Sequence, residues 1–293
     1  MQYFLNITLG GIASGMIVAA VALGLVLIFR ATNVVNFAQG AMAMITTYIA
    51  YSVMHKGADY WLAFVVALAA GLVFGALTQI VLIRPVQNKS PLNAIIVTFG
   101  FLIFLEGVAG AIYGGTTTRT YPAPFSEAGQ KIGGTQIAFS PFDVFIVVAV
   151  LVLMGVMLVL FRGTDLGLRM RAVAFAPEAA RLLGIRVRPL LTLGWALAVA
   201  AGAMAALLIV PTASLTPNFM DVILIYGFTA AVVGGLDSPV GALVGGLATG
   251  LSLAYVGGYL GGSLEPMAAL ALVVVSLMIR PEGIFARPAP RRV

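Results

Sequence analysis

Few residues in this chain have the chemistry to act on another molecule. It has one histidine, His55, no cysteine and ten acidic residues among 293. Residue type alone excludes a histidine metal cluster, a thiolate metal site, a disulfide and a cysteine nucleophile. No closely spaced pair of acids offers a catalytic constellation. Four polar residues stand out because their surroundings are apolar. Glu106 lies inside FGFLIFLEG, residues 99–107. A charge facing lipid at that depth costs about 2–3 kcal/mol. Glu106 must therefore face other helices or a wet path, as a hydrogen-bonded packing group or as a site for a substrate ammonium. Asn33, Asn36 and Gln39 stand at i, i+3 and i+6, loosely on one helical face. They either line a path or hydrogen-bond backbone freed by a broken helix. Thr98, Asp143 and Asp221 read as packing and helix-start residues.

The other chemically distinctive stretch is RGTDLGLRMRAVAFAPEAARLLGIRVR, residues 162–188. It is a basic island between two apolar runs. Pro177 suits a first helical position, where its missing N–H costs nothing. Glu178 favours the positive helix end. Gly184 stands where a glycine ends a helix. Residues 177–183 thus predict a helix of about two turns, too short to persist alone in water. It must pack against something. A second short helix is expected to start at Thr164, followed by Asp165.

The elements around these residues belong to a membrane. The chain is 61% hydrophobic and 9% charged, with a mean hydropathy of +1.08; soluble domains are about one-quarter charged. Apolar runs of about 20 residues predict segments at roughly 5–29, 34–54, 60–83, 92–113, 143–161, 191–211, 219–236, 239–260 and 264–280. Polar residues interrupt the second, and only Leu236-Asp237-Ser238-Pro239 separates the seventh from the eighth. Either region can hold a half-membrane helix. The fold class expected is all-α, a polytopic transmembrane helix bundle of about 8–9 spans or partial spans with short cytoplasmic helices. It forms one domain over 1–293, with the basic loop at about 162–190 and an external loop at about 114–142.

No Lys or Arg precedes the first apolar run, so that segment reads as a retained span rather than a signal peptide. With the N-terminus outside, the inner loops hold Arg30, Arg84, Lys89, Arg162, Arg169, Arg171, Arg181, Arg186, Arg188, Arg280, Arg287, Arg291 and Arg292. That is 13 of the 16 basic residues, and the positive-inside rule is satisfied. The net charge of +6 then belongs to the membrane surface, and nucleic acid is not expected as a partner. The external loop reads as a cap, a docking surface or an ordinary connection. Tyr3, Tyr60, Trp61, Tyr113, Tyr259 and Trp195 fit interfacial anchoring. Glycine pairs such as Gly11/Gly15, Gly71/Gly75, Gly241/Gly245 and Gly246/Gly250 predict close helix crossings. The two halves share a faint pattern, a Gly-rich span followed by a broken one.

Four stretches carry a family resemblance. Glu178-Ala179-Ala180 with Gly184 resembles the coupling loop of ABC importer permeases, and its flanks resemble the LivH-type branched-chain amino acid permeases. Asn33 to Gly40 resembles that family's stretch after the first span, with Gln39 where histidine is common and Ala41 where an acid is common. Gly234 to Ala242 and Arg280-Pro281-Glu282-Gly283-Ile284-Phe285 resemble its turn and terminus.

The resemblance implies a permease subunit of the bacterial inner membrane, C-terminus cytoplasmic, that translocates branched-chain or related amino acids. It implies a heterodimer with a paralogous permease, two cytoplasmic ATPase subunits, a periplasmic binding protein and the surrounding lipid. Pro177, Glu178, Ala179, Ala180, Arg181, Leu183 and Gly184 would couple to the ATPase. Asn33, Asn36, Gln39 and Glu106 are candidates for the path. The chain has no GxxxxGK[ST] phosphate loop, so it is not expected to be an enzyme. No cofactor is expected in it, Mg-ATP being bound by the partners. Urea, amides and aromatic acids are alternative substrates. A lone ion-coupled carrier would carry more intramembrane ionisable groups.

Overall fold

The computed structural model describes residues 1–87, 89–115, 117–132 and 135–285. Arg287, Arg291 and Arg292, counted above among the inner charges, lie outside the described residues. The helices are α1 (Gln2–Thr32), α2 (Gln39–His55), α3 (Tyr60–Thr78), α4 (Pro91–Tyr113), α5 (Pro141–Gly163), α6 (Asp165–Phe175), α7 (Pro177–Leu182), α8 (Val187–Ala213), α9 (Asp221–Gly234), α10 (Pro239–Tyr259) and α11 (Glu265–Ile279). α3 continues as a π-helical turn, Gln79–Ile83, and a single 3-10 turn, Gly262–Leu264, leads into α11. Among the described residues, seven helices are long and apolar enough to cross a membrane. α2 has 17 residues and α9 has 14. All nine expected apolar segments are therefore helical, two of them shortened.

Where α2 begins follows from its neighbours. A Cβ added to Gly24 or to Gly202 would meet the Gln39 amide nitrogen. Gly24 lies about two turns, or about 12 Å, before the end of α1. The first residue of α2 is thus inside the bundle, and residues 33–38 turn back into it. A Cβ on Gly40 would meet Met220 and Leu224, so α9 starts beside the start of α2. Two broken spans meet at depth. Non-helical backbone survives there only where protein or water covers it.

The packing is internally symmetric. α1 lies along α10 as α8 lies along α3; α2 packs between α3 and α8 as α9 packs between α10 and α1; α4 rests on α2 as α11 rests on α9. α1 and α8 run antiparallel, since Gly24 meets Ala198 and Gly194 meets Ala31. The units α1–α4 and α8–α11 are therefore an inverted pair, an arrangement common in transporters, and they account for the faint similarity in the sequence. Glycines allow the closest crossings. Gly15 of α1 is in contact with Gly246 and Gly250 of α10, and Gly75 of α3 lies against Trp195 and Ala196 of α8.

α1 and α8 are the most enclosed spans, while α4 and α11 present most of their surface outward. The loop between α4 and α5 carries two short antiparallel strands the sequence did not signal, β1 (Gln130–Ile132) and β2 (Thr135–Ile137). Trp195 departs from the interfacial expectation. It is fully buried in the core, because the small residues of α3 bring the two backbones together around it. Asp143 and Ser140 form a capping box that opens α5, as expected of an acid at a helix start.

Candidate functional site

At one end of the bundle the basic segment folds into the two expected short helices. Thr164 caps α6, its hydroxyl accepting from the Gly167 N–H at 3.1 Å. Pro177 opens α7, and Gly184, at φ 79°, turns the chain away. α7 has six residues and stops at Leu182, with Leu183 at its C-terminal cap. One face anchors it. Ala180 is buried with Val173 of α6 and Val187 of α8, and Ile185, Leu190 and Leu191 pack around them. Beyond that anchor the segment is bare, with Phe175 at the end of α6 79% exposed, Leu182 90% and Leu183 80%. Glu178, Ala179 and Arg181 are exposed too, and Arg181 pairs with Glu178 at 2.9 Å. Such a surface pair adds at most about 1 kcal/mol. The anchor positions an apolar knob that one end of the molecule holds out without covering it.

Asn33 belongs to this end. It caps α1 in the left-handed conformation at φ 53°, is exposed, and lines a pocket of about 210 Å³ with Pro177, Glu178 and Arg181. Asn36 and Gln39 are fully enclosed. The Asn36 carboxamide accepts from the Ala38 N–H at 3.1 Å and donates to the Gln39 side chain at 3.1 Å. Gln39 donates in turn to the Ala198 carbonyl at 2.8 Å. Asn36 thus bonds the backbone of the break, and Gln39 ties that break to the middle of α8. The three do not form a cluster: Asn33 stands apart from the other two.

Glu106 lies on α4, half-buried, and the Asp221 carboxyl is within hydrogen-bonding reach of it. Its Oε1 is buried without a partner. Asp221 is the first residue of α9, so its capping position and its contact with Glu106 coexist. The sequence offered no signal that these two acids, far apart in the chain, would meet. Thr98 is buried and bonds the Ile95 carbonyl, as a packing residue does.

At the hairpin end, Arg119 ties several elements together. It donates to the Tyr113 carbonyl at 2.9 Å and to the Tyr51 hydroxyl at 3.3 Å. Its guanidinium lies over both rings. Its backbone bridges to Leu215, between α8 and α9. The loop between α4 and α5 is thereby fastened to α2, α4 and the second break. Tyr121 of the same loop packs against Tyr60, and burial pushes its hydroxyl up to about 12.

An inverted-repeat bundle with two helix breaks meeting at depth, and a short anchored helix held out at its basic end, defines a transport permease. The family model for the branched-chain amino acid transport system permease component matches residues 7–280. The chain is 28% identical to the high-affinity branched-chain amino acid permease LivH of Escherichia coli K12, over 99% of this chain and 98% of the relative. It is 29% identical to BraD of Pseudomonas aeruginosa, over 100% and 99%. Among solved structures it resembles PsaBC from Streptococcus pneumoniae in complex with Fab, with a TM-score of 0.50 and 16% identity over 96% of this chain and 93% of that one, a likeness of fold alone. The chain belongs to the permease-component family of branched-chain amino acid transport systems, and is a multi-pass membrane subunit of that kind.

Proposed function

We propose that this chain is one half of the pore of an ATP-driven importer, paired with a paralogous permease, energised by two cytoplasmic ATPases and fed by a periplasmic binding protein. Its cargo is a branched-chain or closely related amino acid, as the names of its relatives suggest. Its N-terminus and external loop lie outside; the basic end, with α7 and the C-terminus, lies in the cytoplasm, the orientation that the arginine distribution favours.

The observation that carries this reading is α7. It keeps Ala180 inward and leaves Leu182 and the capping Leu183 bare, with Phe175 bare at the end of α6, as a helix built to seat in a partner's groove would. Its anchor ties it to α8, and the pocket beside it is walled by the α1–α2 elbow. Movement of the ATPase pair, driven by its bound Mg-ATP, would thus reach both repeat units as rigid-body rocking. Glu106 and Asp221 are the groups of this chain we assign to the path. Two carboxyls in contact repel when both are ionised, and an ammonium between them relieves that repulsion. Asn36 and Gln39 hold the bundle beside them.

Purification of the tagged chain in mild detergent tests the assembly. Near-equal amounts of an ATPase and a second permease are expected with it. A lone homo-oligomer that moves solute in liposomes without ATP would contradict the proposal.

A further inference from the structure

We propose that the cytoplasmic face of this chain carries a specific site for the headgroup of an anionic phospholipid, between α1, α5, α6 and the α9–α10 turn. A cavity of about 280 Å³ opens there, and its polar wall is made of Arg30, Arg162, Arg171 and Asp237. Arg162 and Arg171 by themselves outnumber the one carboxylate that lines it, so the cavity carries an excess of positive charge. Arg171 gives its Nε–H to the Gly167 carbonyl at 3.4 Å, which orients the rest of its fork into the space. Arg30 lies 5.9 Å from the Phe161 ring centroid. Among the described residues, no ion pair answers Arg162 or Arg171. Planar forks of this kind match a phosphate diester through paired N–H···O bonds.

The apolar wall decides between a lipid and a free anion. Leu158 and Phe161 line the cavity beside the arginines. Above them α5 presents Val152, Val156 and Val159 outward, 59%, 55% and 64% exposed. A phosphate held at Arg162 and Arg171 would have its acyl chains lying along this stripe. Free phosphate has no use for it. Basic pockets between the cytoplasmic ends of spans are suited to such headgroups. The site lies away from Glu106 and Asp221. Its two arginines flank the base of α6, so the lipid would brace the segment from which α7 projects.

The test uses the full-length protein in phosphatidylcholine vesicles containing graded phosphatidylglycerol, with a headgroup-photoreactive phosphatidylglycerol as probe and labelled peptides read by mass spectrometry. Saturable labelling of the segments containing Leu158–Arg162 and Asp237–Val240 is expected. Each basic group near a membrane surface contributes about 1 kcal/mol. Joint Arg162→Gln and Arg171→Gln replacement should therefore weaken labelling about 30-fold, while the same change at Arg186 and Arg188, outside the cavity, leaves it unaltered. Asp237→Asn should strengthen labelling about 5-fold, and keeps the proposal testable if the double variant fails to fold. Equal labelling by a photoreactive phosphatidylcholine, an indifferent double variant, no gain with Asp237→Asn, or displacement by millimolar inorganic phosphate would overturn it.

Discussion

Between α1 and α2 the chain turns on uncharged amides; between α8 and α9 it turns into a carboxyl that faces another. The two breaks occupy corresponding places in the inverted repeat, yet their polar groups are differently spent. At the first, Asn36 and Gln39 are enclosed, bonded to each other and to the backbone at Ala38 and Ala198. At the second, Asp221 looks toward Glu106, and a Glu106 oxygen is left without a partner. A buried polar group with all its bonds made rigidifies a fold; one left unmade costs stability and is tolerated where function needs it. Under the proposed function, the same backbone device would brace one half and bind cargo in the other.

The largest effect should come from breaking the first. Gln39→Leu removes the bond to the Ala198 carbonyl and the bond from the Asn36 amide, leaving that amide only the Met42 sulfur inside the bundle, at about 1–3 kcal/mol. The expected outcome is a lower melting temperature in detergent and poor yield, with near-normal transport per folded molecule. A stable variant with altered transport would move Gln39 to the path and erase the contrast.

Next is the link from the bundle to its motor. Leu182→Asp with Leu183→Asp removes apolar surface worth about 1.5–3 kcal/mol per side chain if a partner buries it. Co-purification of the ATPase should fall by at least 100-fold, with the melting temperature unchanged. Glu178→Ala and Gly184→Pro should leave the spans folded and uncouple ATP hydrolysis from uptake. Normal uptake by these variants would remove α7 from the coupling role.

Glu106→Gln should change the uptake rate several-fold with little change in stability, the reverse of the Gln39 pattern. The smallest effect is expected from Arg181→Ala. Its exposed pair with Glu178 contributes at most about 1 kcal/mol, so melting should shift by no more than a degree or two.

Much of this was legible in the sequence. The apolar runs located every long helix, because span length and hydropathy are set by the bilayer. Thr164, Pro177 and Gly184 marked the short helices, because caps and stops are local chemistry. Depth was not legible. Nothing in the residues around Asn33 to Gln39 says that α2 begins beside Gly24, since that depends on how closely α8 approaches. Trp195 misled for a related reason: the aromatic-belt signal is a residue type, and burial is decided by partners such as Gly75. The meeting of Glu106 with Asp221 is a contact between distant segments, which spacing along one helix cannot reveal.

The most direct test is a double-mutant cycle of Glu106→Gln and Asp221→Asn, read as ATP-driven amino acid uptake in proteoliposomes holding the whole complex. If the two carboxyls act as one site on the path, the double variant should transport no worse than the poorer single, since groups that act together are strongly non-additive. Independent, multiplying effects, or uptake untouched by all three variants, would contradict the assignment of the second break to the path.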